Sequence, residues 1–248
     1  MTLNTFFSEN PSVALAFSGG VDSAYLLYAA IDAGADVTAY YVKSAFQPEF
    51  ELRDAQRLAQ ELGAKMRVLE LDVLGDDAIT ANPADRCYHC KKRIFTAIVD
   101  AARADGYTLL IDGTNASDDD ADRPGIRALR ELAVRSPLRE CGLTKAQVRE
   151  KSREAKLFTW DKPAYACLAT RIPTGEAITA EKLSKTEQAE GFLESLGFRD
   201  FRVRLMGESA KLQLCAEQLP MFVEKRTEIL AGLKPLYTNI LLDLEVRG

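Results

Sequence analysis

The stretch that decides the fold is Ser12–Leu27, which reads SVALAFSGGVDSAYLL. Its first six residues are an apolar run, which predicts a short buried strand. Gly19 and Gly20 follow at once, and glycines there let the backbone turn sharply and approach a ligand closely. The residues from Ser23 to Gly34 predict a helix that ends at glycine. A glycine loop at a helix N-terminus favours a bound anion, because the first N–H groups and the helix dipole both point at it.

Strands and helices continue to alternate as far as Asn115. Apolar runs predict three more strands, at residues 36–42, 65–73 and 108–115. Segments that end in glycine predict the helices between them, at residues 49–63 and 88–106. Fully apolar strands that alternate with helices predict an α/β fold, with a parallel sheet covered by helices on both faces.

A different pattern begins after Asn115. An acidic loop is expected at residues 116–125, and Thr144 with Gln147 forms a capping box that predicts a helix. Beyond Thr179 the pattern predicts a small α+β module, with elements at residues 180–196, 201–206, 211–215, 217–231 and 240–246. We therefore predict a nucleotide-binding domain at residues 1–170 and a substrate-binding or oligomerisation module at residues 171–248.

Composition narrows the classes of function. The chain has 248 residues, of which 47% are apolar and 28% charged, with a formal net charge of −5. The N-terminal segment lacks the pattern of a signal peptide, and no apolar run approaches the ~20 residues that cross a bilayer. We therefore expect a cytoplasmic protein with no membrane partner and with reduced, metal-bound or catalytic cysteines. The acidic balance argues against a nucleic-acid partner.

The glycine loop differs from two common phosphate-binding motifs. It lacks the terminal lysine of a Walker A sequence, and its glycines are not spaced as in G-x-G-x-x-G. Instead, SGGVDS resembles the signature of the PP-loop ATP pyrophosphatase family, in which this loop grips the pyrophosphate of ATP. The hydroxyls of Ser18 and Ser23, with the N–H groups of Gly19 and Gly20, can donate to phosphate oxygens. Asp22 is expected to orient the loop or to hold Mg²⁺.

A second element follows the fourth predicted strand. Gly113, Thr114 and Asn115 lie at its carboxyl end, where ligands of open α/β sheets gather. The sequence GTN also resembles the second nucleotide-binding element of the PP-loop family. The resemblance implies ATP and Mg²⁺ as cofactors.

Cysteine spacing leaves several interpretations open. Cys87 and Cys90 have C-x₂-C spacing at the start of a predicted helix, around His89, the one histidine of the chain. A zinc site, a redox pair, an iron–sulfur cluster and simple packing all remain possible from this pair alone. With Cys167, the pair makes three candidate ligands without a fourth, a number that suits a [4Fe–4S] cluster with one open iron. Cys141 and Cys215 are most simply structural thiols.

Five segments in order, SGGVDS, DRCYHCKK, GTN, ACLATRIP and the small C-terminal module, resemble the LarE family of ATP-dependent sulfur transferases. The resemblance implies sulfuration of pyridinium-3,5-biscarboxylic acid mononucleotide in nickel-pincer nucleotide biosynthesis. It marks Cys167 as the active cysteine, which some members convert to dehydroalanine. The added Cys87 and Cys90 resemble the three-cysteine subtype, in which the thiolates hold a [4Fe–4S] cluster whose open iron carries the transferred sulfide.

An anionic substrate requires cationic partners. Period-two alternation places Arg202 and Arg204 on one strand face, and by resemblance these are the phosphate-binding arginines. Arg171 is a candidate to neutralise a substrate carboxylate or the α-phosphate. Glu190 matches a family acidic residue near the active cysteine, although helix periodicity alone predicts a solvated position.

Two other functions remain as alternatives. A tRNA thiolase of the same superfamily also combines a PP-loop with cysteines, but it requires a basic RNA-binding surface. A non-catalytic adenine-nucleotide-binding protein would leave the three cysteines without a role. The favoured interpretation implies a small-molecule nucleotide substrate, no nucleic-acid partner and a homo-oligomer.

Overall fold

A computed structural model describes residues 1–118 and 124–247. The strands are β1 (Ser12–Ala16), β2 (Asp36–Lys43), β3 (Lys65–Glu70), β4 (Leu110–Ile111), β5 (Arg202–Met206), β6 (Ser209–Gln213) and β7 (Asn239–Leu242). The α-helices are α1 (Leu3–Glu9), α2 (Val21–Asp32), α3 (Glu49–Glu61), α4 (Asp77–Thr80), α5 (Arg86–Ala104), α6 (Pro124–Glu131), α7 (Pro137–Glu140), α8 (Lys145–Glu154), α9 (Ala180–Ser195), α10 (Leu219–Glu224) and α11 (Arg226–Leu233).

The chain divides into two compact units. The first comprises Met1–Val73 and Asp85–Lys162, and the second comprises Leu74–Ala84 and the chain from Pro163 onward. This division differs from the predicted boundary at residue 170. Residues 74–84 join the second unit because Asn82 is buried there, where its side-chain amide donates to the carbonyl of Pro173 over 2.8 Å. The N–H of Ile178 also donates to the carbonyl of Thr80 over 2.8 Å.

The first unit contains a parallel sheet with the strand order β3-β2-β1-β4. Alternate strand residues face opposite sides of the sheet; both sides are largely buried in β1 and β2, whereas the edge strand β3 is partly exposed. Leu15 and Tyr41 belong to a core formed with α1, α2 and α8, whereas Ala14, Tyr40 and Val42 belong to a second core with α5. The predicted α/β class, a parallel sheet with helices on both faces, is therefore confirmed.

Strand order fixes the position of the two predicted nucleotide-binding elements. β1 pairs with β2 on one side and with β4 on the other, so the strand order reverses between β1 and β4. Ligands of open α/β sheets bind beyond the carboxyl ends of the strands at such a reversal. The loop after β1 carries SGGVDS and the loop after β4 carries DGTN. The topology therefore brings these loops to one edge of the sheet.

The second unit contains a small mixed sheet of order β5-β6-β7. β5 and β6 are antiparallel, with Arg204 opposite Lys211, and β6 and β7 are parallel. The single helix predicted at residues 217–231 is instead a 3₁₀ turn followed by α10 and α11. Pro220 lies in the first turn of α10, and Lys225 both ends this helix and precedes α11. A proline is tolerated in the first turn of a helix but not in its interior, so the helix starts afresh at this point.

Two further sequence predictions can be compared with the structure. The capping box of Thr144 and Gln147 is confirmed, because each backbone N–H is bonded by the other side chain at the start of α8. Residues 119–123 of the expected acidic loop lie outside the described residues. Within the described parts of the chain, no helix is both long and apolar enough to cross a membrane.

We predict that Thr144→Ala lowers the free energy of unfolding by about 1 kcal/mol, because it removes the N-cap of α8. Thr174→Ala, at an exposed threonine in a turn, is the matched control and should change this free energy by less than about 0.5 kcal/mol. Urea denaturation followed by circular dichroism measures both. Equal effects of the two substitutions would show that the cap contributes nothing specific.

Candidate functional site

The glycine loop has a backbone that only glycine suits. Gly19 has a φ of +73°, and a Cβ placed on it would lie 3.1 Å from the Cβ of Ala55 on α3. Gly20 is the N-cap residue of α2 and has no side chain with which to cap the helix. The N–H groups of the first turn of α2 are therefore directed at whatever lies beyond the loop, which favours an anion.

Two serines brace this loop from within. The hydroxyls of Ser18 and Ser23 lie 3.1 Å apart, and the Ser18 hydroxyl accepts from the Gly20 N–H over 3.3 Å. The Ser23 hydroxyl donates to the Gly20 carbonyl over 3.2 Å and accepts from the Ser18 N–H over 3.3 Å. Both hydroxyls thus hold the loop in shape from within. Their predicted role as phosphate donors stays a prediction.

Asp22 joins three parts of the first unit. Its Oδ1 accepts from the side-chain amide of Asn115 over 3.2 Å, and its Oδ2 forms an ion pair with Lys145 at the start of α8. The glycine loop contains no lysine, so the structure supplies a cation from a residue far along the chain. Sequence reasoning missed Lys145, because a lysine at the first position of a helix is ordinary. The predicted role of Asp22, to orient the loop or to hold Mg²⁺, stays a prediction.

The DGTN loop approaches the start of α2 very closely. A Cβ on Gly113 would lie 2.8 Å from the backbone nitrogen of Ser23 and 3.2 Å from the carbonyl carbon of Asp22. Asp112 is buried and fixes the loop by accepting from the Thr114 hydroxyl over 2.5 Å and from the Ser136 hydroxyl over 2.6 Å. The predicted residues Gly113, Thr114 and Asn115 therefore lie beside the glycine loop.

The C-x₂-C pair lies in the first turns of α5. Cys87 is exposed and Cys90 is half-buried, and Nη2 of Arg86 lies 3.8 Å from the Cys87 sulfur. His89 is paired with Asp85 instead, with Nε2 and Oδ2 3.3 Å apart. All five cysteines belong to the described residues, and none forms a disulfide. Across residues 1–118 and 124–247, no three His, Cys, Asp or Glu side chains are grouped as a metal site.

Cys141 and Cys215 have the properties of structural thiols. Cys141 packs against the core of the first unit, and burial raises the pKa of its thiol. Burial, followed by the charge of Asp200, also raises the pKa of Cys215, whose sulfur lies 3.3 Å from the Asp200 carbonyl oxygen. A raised pKa disfavours the reactive thiolate, so neither residue has the character of a nucleophile.

Cys167 belongs to the second unit and directly precedes the 3₁₀ turn Leu168–Arg171. Its sulfur is in a half-buried side chain. Its carbonyl oxygen accepts from both the N–H and the hydroxyl of Thr170, over 3.0 and 2.9 Å. The backbone at the predicted active cysteine is therefore held in one conformation by the turn that follows it.

Arg171 and Glu190 form a buried ion pair. They are 1% and 5% exposed, and Arg171 Nε lies 2.7 Å from Glu190 Oε1 while Nη2 lies 3.1 Å from Oε2. Burial alone would lower the pKa of Arg171, but the hydrogen bonds and charge of Glu190 outweigh it and raise that pKa. The expectation of a solvated Glu190 from helix periodicity is wrong. Arg171 is occupied by this pair, by the carbonyl of Ala166 and by the hydroxyl of Thr170.

Arg202 and Arg204 are also engaged within the second unit. Arg202 is 5% exposed and donates to the carbonyl oxygens of Phe201 and Ala164. Arg204 is half-buried and donates to Gln213 over 2.5 Å and to the carbonyl of Thr170 over 2.7 Å. Burial, followed by the charges of Arg171 and Arg247, lowers the pKa of both arginines. Arg171 and Arg247 are thus close enough to repel Arg202 and Arg204, and the carboxylates of Glu190 and Asp200 offset part of this positive charge.

One residue of this network was missed by sequence reasoning. The Tyr165 hydroxyl donates to Glu190 Oε2 over 2.6 Å. Its ring centroid lies 4.6 Å from the guanidinium carbon of Arg171 and 5.2 Å from that of Arg202. A half-buried tyrosine in an irregular segment gives no signal in a sequence, because its partners come from a distant helix and a strand.

Comparison with known proteins agrees with this arrangement. The parallel sheet, the SGGVDS loop at the reversal of strand order and the DGTN loop beside it define a PP-loop nucleotide-binding fold. The family model described as "Queuosine biosynthesis protein QueC" matches residues 12–94, which include the glycine loop. An uncharacterised protein of Synechocystis is 40% identical over 90% of this chain and 83% of its own length.

A relative with a described function is similar along nearly the whole chain. The pyridinium-3,5-bisthiocarboxylic acid mononucleotide synthase of Lactiplantibacillus plantarum is 34% identical over 98% of this chain and 89% of its own length. A tRNA-specific 2-thiouridylase of Frankia casuarinae is 34% identical, but over only 61% of this chain and 53% of its own length. The chain therefore belongs to the family of pyridinium-3,5-bisthiocarboxylic acid mononucleotide synthases, the LarE family.

We predict that Gly113→Ala weakens ATP binding by a factor of roughly ten or more, which is about 1.4 kcal/mol. The added methyl would displace the DGTN loop from the backbone of Ser23. Gly191→Ala on α9 is the control, because nothing lies within 4 Å of its added Cβ. Isothermal titration with the Mg²⁺ complex of ATP measures the dissociation constant. Unchanged affinity in a folded Gly113→Ala protein would contradict the proposed position of the nucleotide.

We predict that Glu190→Ala lowers the free energy of unfolding by about 3–5 kcal/mol, since it leaves the buried Arg171 without its counter-charge. Glu208→Ala is the matched control: its ion pair with Lys185 spans 3.7 Å and its side chain is 78% exposed. The control should lose less than about 0.5 kcal/mol in the same urea denaturation. A loss below about 1.5 kcal/mol in Glu190→Ala would show that the pair does not dominate this unit.

Proposed function

We propose that the chain is an ATP-dependent sulfur transferase that converts the carboxylates of pyridinium-3,5-biscarboxylic acid mononucleotide to thiocarboxylates. Nickel-pincer nucleotide biosynthesis is the pathway that this reaction serves. The observation that carries the proposal is the similarity to the Lactiplantibacillus plantarum synthase over 98% of this chain. That span includes both the nucleotide loops of the first unit and the Cys167 segment of the second.

ATP has a clear chemical task in this reaction. A carboxylate is a poor acyl donor, because its leaving group would be oxide. Attack by a substrate carboxylate oxygen on the α-phosphorus of ATP releases pyrophosphate and forms an acyl-adenylate. The SGGVDS loop is the proposed receptor for that pyrophosphate, since it offers the N–H groups of the first turn of α2 and two hydroxyls.

The charges around this loop are consistent with such a ligand. The Asp22 carboxylate would repel a polyphosphate if it stood alone, but Lys145 neutralises it. ATP enters as its Mg²⁺ complex, which reduces the charge of the phosphates further. A carboxylate has about four lone-pair sites, so Asp22 can accept from Asn115 and Lys145 and still face the ion.

Sulfur is delivered in the second half of the reaction. A sulfur nucleophile attacks the acyl carbon and AMP leaves, which gives a thiocarboxylate directly from sulfide or a protein thioester from a cysteine thiolate. Cys167 is the proposed site of delivery, because the backbone that carries its sulfur is fixed by the turn that follows it. Two sulfur sources fit. One is a bound sulfide; the other is the Cys167 sulfur itself, where loss of the Cα proton from the thioester breaks the Cβ–S bond, releases the thiocarboxylate and leaves dehydroalanine in the chain.

The second source requires an iron–sulfur cluster, which we propose to be a [4Fe–4S] cluster held by Cys87, Cys90 and Cys167. The donor chemistry fits, since all three are thiols outside any disulfide and the first two lie on adjacent turns of α5. When bound, the cluster would carry the transferable sulfide on its open iron. Cys87 and Cys90 belong to the first unit and Cys167 to the second.

Recognition of the substrate phosphate is assigned to Arg202 and Arg204. A guanidinium group has five N–H donors, and Arg204 uses Nε and Nη1 in the contacts described above. Donors on its Nη2 therefore remain to bind a phosphate oxygen. Arg171 was proposed for substrate binding too, but its contacts with Glu190, Ala166 and Thr170 make it better suited to support Cys167.

Two other parts of the proposal concern partners. The substrate is a small nucleotide, and we propose a cytoplasmic homo-oligomer that acts without a nucleic-acid or membrane partner. The similarity to tRNA-specific 2-thiouridylases makes tRNA sulfuration the alternative to be tested alongside, although those relatives match over only about half of their length.

We predict that protein purified without oxygen forms AMP, pyrophosphate and thiocarboxylate only when ATP, Mg²⁺ and the biscarboxylate mononucleotide are all present. Cys167→Ala should abolish thiocarboxylate formation but retain ATP binding, and Cys215→Ala should retain activity as the matched thiol control. Liquid chromatography with mass spectrometry measures the products.

Iron and sulfide analysis tests the cluster separately. We expect about four irons per chain in the wild type, and a large loss of iron in Cys87→Ala but not in Cys141→Ala. Active but iron-free protein that accumulates dehydroalanine at residue 167 would replace the cluster with sacrifice of Cys167. Sulfuration of tRNA instead of the mononucleotide would overturn the proposed substrate.

A further inference from the structure

The backbone around Cys167 is held by its carbonyl oxygens. Three arginines donate to this short segment, two from β5 and one from the 3₁₀ turn that follows Cys167, and Thr170 donates to the carbonyl of Cys167 itself. The arginine contacts are Arg202 to Ala164, Arg171 to Ala166 over 3.0 Å, and Arg204 to Thr170 over 2.7 Å. Hydrogen bonds from charged donors are stronger than neutral ones, so this pattern fixes the segment firmly.

Tyr165 lies within the same segment and contacts the groups that hold it. Its hydroxyl donates to Glu190 Oε2, and its ring lies against both Arg171 and Arg202. Those two arginines bind the carbonyls on either side of Tyr165, at Ala164 and Ala166. The Tyr165 side chain therefore contacts the same two arginines that bind the backbone on either side of it.

We propose that Tyr165 is a positioning residue for Cys167, which acts through the Glu190–Arg171 ion pair. This inference rests on the proposed function only in taking Cys167 as the residue that delivers sulfur. Glu190 accepts from four donors: Tyr165, two nitrogens of Arg171, and the N–H of Val203 over 2.9 Å. Without the tyrosine hydroxyl, the longer of the two Arg171 contacts is the one hydrogen bond that Oε2 keeps among the described residues.

The consequence for Cys167 follows from the shared guanidinium. Arg171 binds Glu190 through Nε and Nη2, and it binds the carbonyl of Ala166 through Nη1. If the Glu190 carboxylate rotates, Arg171 moves with it, and the hydrogen bond from Arg171 to the Ala166 carbonyl, next to Cys167, is strained. A displacement of a reacting atom by about 1 Å can cost on the order of a hundredfold in rate.

Two substitutions separate the roles of the hydroxyl and the ring. Tyr165→Phe removes the hydroxyl that bonds Glu190 and keeps the ring, and Tyr165→Leu also removes the contact with the two guanidinium groups. Tyr237→Phe is the matched control, because Tyr237 is a buried tyrosine of the same unit whose hydroxyl is near the charge of Glu190 but makes no hydrogen bond to it. All three are tested in the full chain.

The expected result is a selective loss of turnover. Tyr165→Phe should lower kcat for thiocarboxylate formation about tenfold and leave KM for ATP within about twofold, because a misplaced nucleophile affects the sulfur step and not ATP binding. Hydrogen–deuterium exchange of residues 164–171 should become faster. Tyr165→Leu should lower kcat further and make this exchange faster still. Tyr237→Phe should match the wild type in kcat and in exchange.

A double-mutant cycle tests the route of the effect. If Tyr165 acts through Glu190, Tyr165→Phe has no further effect on exchange at residues 164–171 in a Glu190→Gln background. Equal effects in both backgrounds would overturn the proposal, as would wild-type exchange in Tyr165→Phe. A wild-type protein that transfers no sulfur would refute the proposed function instead, and the exchange measurements would still decide the role of Tyr165. Should Glu190→Gln not fold, the comparison with Tyr237→Phe decides.

Discussion

The buried ion pair of Arg171 and Glu190 is the interaction on which the second unit depends. Charged groups taken out of water destabilise a protein unless each finds a partner and its remaining donors and acceptors are satisfied. Here the Glu190 carboxylate accepts hydrogen bonds from a 3₁₀ turn, a strand and an irregular segment. The Glu190 side chain on α9 therefore links β5 to the backbone that carries Cys167. The geometry of that segment depends on the buried position of Glu190.

The first unit is organised by a different constraint, the close approach of two backbone loops. Gly113 and the start of α2 are so near that no side chain fits between them, and Asp112 anchors the loop from the other side. Because β1 and β4 are neighbours, both loops end at the same edge of the sheet. A ligand bound there meets backbone N–H groups from a rigid scaffold, and little conformational entropy remains to be lost on binding. The rigid backbone of the first unit thus shapes the proposed nucleotide site, and the buried ion pair of the second unit fixes the segment that carries Cys167.

Most of the fold could be predicted because its signals are local. Apolar runs located β1 to β3 within a few residues, and the pair Thr144 and Gln147 located the start of α8. The predicted fourth strand is too long, because the strand ends at Ile111. The Asp112 side chain accepts hydrogen bonds from Thr114 and Ser136 and begins a loop there. What could not be predicted depends on partners distant in sequence. The burial of Glu190 requires Arg171 and Tyr165, and Lys145 reaches Asp22 across more than a hundred residues of chain.

The excursion at residues 74–84 has a consequence for how the protein acquires its structure. The side-chain amide of Asn82 finds its carbonyl partners 90 and 91 residues further along the chain. A growing polypeptide must therefore expose this segment while most of the first unit is already available to fold, and it becomes satisfied only when residues 172–178 emerge. Neither unit is a continuous stretch of sequence, so a gene cut at one point cannot separate them. Evolution by simple fusion or exchange of the C-terminal module would have to carry an internal peptide along with it.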